Sequence, residues 1–456
     1  MPAAAARRTR TTGASPSRGE KRRARKPAAR QHSLEHRILI TATLCLLAYG
    51  AVMVYSASSA TTLLRGHGYG SGYLVKFLVY GGLGLVVMRV LARDGVAKVQ
   101  SITAPLLVVS FVLVVAVHIP HVGVSVNGAR RWLGTGPLQF QPSELMKIAL
   151  VLYAATLLAK RPQRVQDLRE LAKPLLFVVG AATLLVFSQP DLGTALVIIF
   201  TVGALLVAAG IPPRQLAILC GGILGVVLLY ALIRPYARAR LTSFLDPWAH
   251  ASSSGFQAVQ GQIAIGSGGL FGVGPGQSVQ KIFYLPEAPT DFILAVIAEE
   301  LGVVGVCALL FLYGLIGYAG LRAAKAARSL YSALIAVGVT SLILSQAVLN
   351  VFAVLGIAPL TGVPLPFVSY GSSSLIVMLA GMGLLLNVAA GATGHVRAVA
   401  PSRRGQRARS VGPGDARARE PAGLSGERSA DEDRDRRRRD RRARGAGARG
   451  GRRAAG

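Results

Sequence analysis

Ten stretches of this chain are apolar over lengths close to the roughly 20 residues that an α-helix needs to cross a bilayer. They fall at about 38–58, 73–91, 101–119, 143–159, 174–189, 193–210, 215–233, 291–320, 330–355 and 373–392. In hydrocarbon each backbone N–H and C=O must be paired within its own segment, so helix is the form every stretch has to take. The sequence therefore predicts an all-α polytopic membrane protein with about ten transmembrane helices.

Charge sets the orientation. Between the stretches, the alternate connections at 92–100, 160–173, 211–214 and 321–329 carry Arg93, Lys98, Lys160, Arg161, Arg164, Arg169, Lys173, Arg214, Arg322, Lys325 and Arg328. The short connections of the other set carry only Arg65, Arg130 and Arg131. Lys and Arg are retained on the cytoplasmic side, so the first set is inside. An even number of crossings then leaves both the N- and C-termini cytoplasmic, with the long loop between spans 7 and 8 outside.

The net charge of +31 would suggest a nucleic-acid partner were it spread over the chain. It is not. Residues 1–37 hold eleven Arg or Lys against two Glu, and residues 401–456 hold eighteen Arg against eight acids. Both segments are rich in Ala, Gly and Ser and poor in aromatics, which predicts disorder. The expected organisation is a basic cytoplasmic tail at 1–37, a membrane domain at 38–392 and a second Arg-rich tail at 393–456. The tails read as topological determinants that also meet anionic membrane lipids, with partner binding or phosphorylation as the alternative, and no nucleic acid is expected. The basic N-terminal stretch is too long, and the first apolar run too extended, for a cleavable signal peptide. Cys45, Cys220 and Cys307 all lie inside apolar stretches, where a thiol acts as a small hydrophobe. His118 and His121 bracket Pro120 without an acidic neighbour, a poor metal pair.

The chemistry-bearing sequence clusters on the outside, in loops 120–142, 234–290 and 356–372. The first holds NGARRWLGTGPLQFQPSELMK, Asn127 to Lys147. Arg130 and Arg131 are permanent cations with donors suited to phosphate oxygens. Trp132 fits an interfacial anchor, Pro142–Glu144 fits a helix start, and Glu144 with Lys147 fits an ion pair on the helix surface. QPDLGTA, Gln189 to Ala195, turns the chain tightly between two spans, and Asp191 reads as a helix cap. The long loop carries RARLTSFLDPW, with Arg240, and the glycine-rich FQAVQGQIAIGSGGLFGVGPGQSVQK, with Gln260 and Lys281. Its glycines permit close approach of backbone N–H groups to a phosphate, but no GK[ST] ending marks a nucleotide loop.

YLPEAPTDFILAVIAEELG, Tyr284 to Gly302, is the densest segment. Thr290 fits an N-cap, and Asp291 opens the eighth span at the outer face. Glu299 and Glu300 lie about 12–14 Å further in along a helix rising 1.5 Å per residue, where carboxylates need partners. At 100° per residue, Glu299 is placed toward the face of Asp291 and Glu300 toward a neighbouring helix. The last motif, PLTGVPLPFVSYGSSSL from Pro359, has too many prolines for a continuous helix. Irregular backbone at that depth is tolerated only inside protein or along a wet cavity.

Taken in order, NGARRW, QPSE, QPDLGTA, LPEAPTDF, AEELG and PLPFVSYG closely resemble the SEDS family of shape, elongation, division and sporulation proteins, over about residues 36–392. NGARRWLGTGPL and LGIAPLTGVPLPF resemble its division-associated members more than its elongation members. In one departure, Gly371 is followed by Ser372 where the family usually has a second glycine. The resemblance implies a peptidoglycan glycosyltransferase that polymerises lipid II at the outer face of the cytoplasmic membrane, at the division septum, beside a class B penicillin-binding protein transpeptidase and other divisome proteins. It implies that Asp291 is the catalytic acidic residue. Arg130, Arg131, Glu144, Lys147, Arg240, Gln260, Lys281, Glu287, Ser369 and Ser373 are the expected substrate-binding residues. A divalent cation, Mg or Mn, is an expected cofactor, with Asp291 and Glu299 as its candidate ligands. The competing expectations are a flippase for a lipid-linked sugar, a non-enzymatic scaffold, and an elongation role within the family.

Overall fold

The computed structural model describes residues 33–396, apart from 65–69, 127–128, 135–138, 163–169, 171 and 283. The two Arg-rich tails expected to be disordered lie outside the described residues. Eleven α-helices follow in order: α1 Leu34–Leu64, α2 Gly72–Ala116, α3 Pro142–Lys160, α4 Phe177–Ser188, α5 Leu192–Ala208, α6 Pro213–Ile233, α7 Pro235–Leu245, α8 Phe256–Gly268, α9 Ile293–Lys325, α10 Leu330–Val354 and α11 Ser372–Val396. A π-helical turn, Ala172–Leu176, leads into α4.

Among the described residues, eight segments are long and apolar enough to cross a membrane, and two shorter apolar helices, Pro174–Ser188 and Leu192–Ala208, fall where the fifth and sixth spans are expected. The expected inside connection at 92–100 is helical, so α2 contains two spans, Gly72–Arg93 and Lys98–Ala116. Its contacts show that the chain nevertheless reverses. Tyr73 packs edge-on to Tyr370 just before α11, and Asn387 further along α11 donates to the carbonyl of Ala92. Ser110 and Val114 then return to Met146 and Gln189, at the end where Gln141 N–H donates to Ser373.

α3, α9, α10 and α11 bury most of their side chains and form the centre, with α5 packed on α10 and α1 on α9. α6 stands at the periphery, with no residue of Pro213–Tyr230 buried in protein. It is held by Tyr230, which stacks on Phe187 at 4.9 Å and donates to its carbonyl.

The outside loops contain more regular structure than their Gly and Pro content predicts. Two strands, β1 Gly123–Val126 and β2 Ala129–Leu133, pair antiparallel, with Trp132 opposite Val124. The long loop contributes α7 and α8, then returns as an irregular segment against α9.

That return explains a break inside α9. Gly302 has φ 65°, ψ −163°, which interrupts the helix. An unbroken helix would pair Glu299 C=O with Val303 N–H and Glu300 C=O with Val304 N–H. Instead Val273 and Gly274 donate to those two carbonyls, and Val303 and Val304 donate to Gly269 and Leu270. A β-carbon at residue 302 would lie 2.4 Å from the Leu270 carbonyl oxygen, so close approach as well as dihedral demands glycine.

Candidate functional site

Five segments, all in regions the charge pattern places outside, converge on Asp291. The first is β2, from which Arg131 donates through Nε to the Gln189 carbonyl at 3.0 Å and through Nη2 to the Pro190 carbonyl. Its Nη1 stands 3.9 Å from Asp191 Oδ1. The second is the turn before α5. Asp191 caps α5 as expected, accepting from Thr194 N–H at 3.1 Å, and also accepts from the Gln141 amide at 3.1 Å. The third is α7, from which Arg240 Nη1 donates to the Leu360 carbonyl at 2.6 Å.

The fourth segment is the broken strip 359–371. Gly193 lies so near it that an added β-carbon would meet Val363 Cγ2 at 2.3 Å and the Thr361 carbonyl at 2.5 Å. Gly362 faces Asp291: a β-carbon there would lie 3.4 Å from Asp291 Oδ2. Phe367, almost fully buried, holds φ 65°, a conformation that bulky residues adopt only where the surroundings impose it. Ser369 Oγ accepts from Leu365 N–H and stabilises this turn.

The fifth is the turn that carries Asp291 itself. α9 begins at Ile293 with Phe292 in the cap position, and Asp291 lies just before it. Thr290 does not cap the helix, because its hydroxyl donates to the carbonyl and carboxylate of Glu287, which sits at φ 54°. The Tyr370 N–H ties this turn to the strip through the Pro289 carbonyl.

Burial is the main force that lifts the Asp291 carboxyl, to about 7 from its ordinary 3.8; nearby Glu287 and Asp191 raise it further, while Arg240 and Arg131 pull it down. A carboxylate half-protonated near neutrality is suited to proton abstraction. The guanidinium groups of Arg240 and Arg131 act electrostatically on it, and fixed positive charge of this kind is suited to meeting developing negative charge.

The remaining expected site residues divide by place. Glu144 and Lys147 form an ion pair at 2.9 Å, but it is buried rather than on the helix surface, because Lys147 also donates to Gln346 of α10 at 2.7 Å. Ser373 accepts from Gln141 N–H and joins α3 to α11. Arg130 and Glu287 are exposed and Gln260 is partly exposed on α8. Lys281 is buried away from Asp291, donating to Glu300 at 2.7 Å, to Ser56 and to the Gly276 carbonyl.

Glu299 departs from its expected position. Rather than facing Asp291, its carboxylate accepts from the Ser278 hydroxyl and from the N–H groups of Val279 and Gln280. The unbroken-helix geometry behind the expectation left out the returning loop, whose donors occupy that side. Glu300 does meet a neighbouring helix, through Ser56 of α1. Asp291 and Glu299 therefore do not fit as joint ligands of a divalent cation, and among the described residues no group of three or more His, Cys, Asp or Glu side chains could hold a metal ion.

Asp191, Gln346 and Asn350 take part in the site without having been singled out as functional. Asp191 sat in a motif that a helix cap explained in full. Gln346 and Asn350, four residues apart in an otherwise apolar span, were the available signal, since amides at membrane depth need partners.

Fold and site define a multi-pass membrane protein with a neutral-range carboxyl and two arginines gathered at one end of its helical bundle. Residues 36–393 match the Cell cycle protein family of FtsW, RodA and SpoVE, and the chain belongs to that family. It is 39% identical over 355 residues to stage V sporulation protein E of Bacillus subtilis, covering 77% of this chain and 96% of that protein. It is 42% identical to a probable peptidoglycan glycosyltransferase FtsW of Coxiella burnetii, covering 77% of this chain and 95% of that protein. Among solved structures, the rod shape determining protein RodA of Thermus thermophilus is similar at 32% identity and a TM-score of 0.56, covering 77% of this chain and 95% of RodA. A chain of a peptidoglycan synthase complex that coordinates polymerization and crosslinking is similar at 33% identity and a TM-score of 0.64, covering 77% of this chain and 96% of that one.

Proposed function

We propose that this chain is a peptidoglycan glycosyltransferase that polymerises lipid II at the outer membrane surface, with Asp291 as the base. Asp291 takes the proton from the 4-hydroxyl of the acceptor sugar as that oxygen bonds to the anomeric carbon of the lipid-linked donor. The bond from that carbon to the pyrophosphate oxygen breaks, and undecaprenyl pyrophosphate leaves with the electron pair. Pyrophosphate needs no proton to depart, so one carboxyl suffices; the developing charge is met by Arg131 and Arg240. The expected Mg or Mn ion would not be held by Asp291 and Glu299 together, whose carboxylates meet different partners, and in this reading the guanidinium groups supply the positive charge.

The carrying observation is Asp291 itself, lifted to about 7 by burial although Arg240 and Arg131 act on it, where the motifs converge. The relatives named as glycosyltransferases support the activity, and the synthase complex supports a class B penicillin-binding transpeptidase as partner. The likeness to FtsW proteins supports a septal location. The test is purified protein in liposomes supplied with labelled lipid II. Glycan strands from the wild type and none from a folded Asp291→Ala variant are expected. Undiminished strands from that variant would overturn the role of Asp291, and lipid crossing the bilayer with no polymer would overturn the activity.

A further inference from the structure

We propose that Asn350 is a positioning residue for this reaction, its side-chain amide clamping the Asp291 turn to the broken strip that closes the site. The inference rests on Asp291 being the base. Asn350 lies on α10 and is almost completely buried. Its Nδ2 spends both hydrogens at the site, donating to the main-chain carbonyl of Asp291 at 2.8 Å and to that of Val363 at 2.7 Å. Val363 follows Gly362, the residue packed against the Asp291 carboxylate, and its side chain with Thr361 forms the surface that meets Gly193. One amide thus fixes the base relative to the segment that separates it from Asp191.

The clamp is oriented by its surroundings. Asn350 Oδ1 is buried without a hydrogen-bond partner, and turning the amide over would aim that oxygen at two carbonyls. One helical turn earlier, Gln346 makes the same kind of bond to the next carbonyl, Pro364, at 2.9 Å. Its own oxygen accepts from Lys147, which fixes its orientation. α10 therefore presents two amides, four residues apart, to consecutive carbonyls of the strip, and only Asn350 also reaches the base.

Misplacing a reacting group by about 1 Å costs on the order of 100-fold in rate. Asn350→Leu, close in size but without donors, is expected to lower kcat by roughly that factor with KM little changed. Loosening the turn also lets water reach Asp291, whose charged and titratable neighbours are Glu287, Arg240, Arg131 and Asp191. The midpoint of the acid limb of the kcat profile should then move below its wild-type position near 7. Asn350→Gln, which keeps the amide but displaces it by a methylene, should show a smaller change in the same direction and serves alone if the Leu variant does not fold. A lowered Tm with an unmoved midpoint, or a kcat within twofold of wild type, would overturn the inference. Full activity of Asp291→Asn would instead overturn the role of Asp291 as base, so the two failures are distinguishable.

Discussion

Lys281 and Glu300 stand 2.7 Å apart in a fully buried ion pair, with Ser56 of α1 bonded to both. A buried pair of this kind adds little over apolar packing, whereas removing one partner strands the other charge. Lys281→Met should therefore destabilise the protein by about 3–5 kcal/mol, and Lys281→Met with Glu300→Gln should recover much of that loss. Thermal melting in detergent reads both variants. A single variant as stable as wild type would show that the pair does not secure the returning loop.

The raised Asp291 pKa has a kinetic and a stability consequence of defined sign. The base works ionised, so polymerisation should fall about tenfold for each pH unit below 7, a limb that an inactive Asp291→Asn variant cannot show. The folded state holds this proton more tightly than the unfolded chain, whose pKa stays near 3.8, so Asp291 costs stability progressively as pH rises from there to about 7. Asp291→Asn should accordingly raise Tm at pH 8 and give little or no gain at pH 4. Equal gains at both values would contradict the shift.

Gly193 sits where the Asp191 turn meets the strip. Gly193→Val has to push against Val363 and the Thr361 carbonyl, so it should separate Asp191 and Arg131 from Asp291. The expected outcome is a loss of glycan synthesis on the order of 100-fold in protein that still inserts and purifies, measured as strand length and yield from labelled lipid II. Activity near wild type would mean that the two segments need not touch.

Gly302→Ala tests the break in α9. Both the positive φ and the Leu270 carbonyl oppose a β-carbon, and a cost of about 1–3 kcal/mol is expected, with earlier proteolytic cutting in residues 269–280. Unchanged cleavage kinetics would show that the loop does not depend on this contact.

Much of the site was legible because its chemistry is local in sequence. Asp291 stood at the outer end of an apolar stretch, and alternation of inside and outside loops placed Arg131 and the Pro359–Leu375 segment on its side. What escaped was set by contacts between distant segments. Glu299 is placed by helical arithmetic that assumes an unbroken α9, yet Gly302 and a loop 20 residues earlier redirect its surroundings. The β1–β2 hairpin carried an Asn-Gly pair between its strands, a strong turn signal, but the phosphate-binding reading of the adjacent arginines absorbed that segment. Lys147 looked like half of a surface pair because its second partner, Gln346, lies 199 residues away.

The exchange of hydrogen bonds around Gly302 also bears on how the chain is made. A helix interrupted at membrane depth leaves carbonyls and amides that lipid cannot satisfy. Here every replacement partner, from Gly269 to Gly274, precedes the break in the chain. Synthesis therefore delivers the mend before the gap: when Gly302 leaves the ribosome, the groups that complete α9 have already been made, and no later segment has to return to repair it.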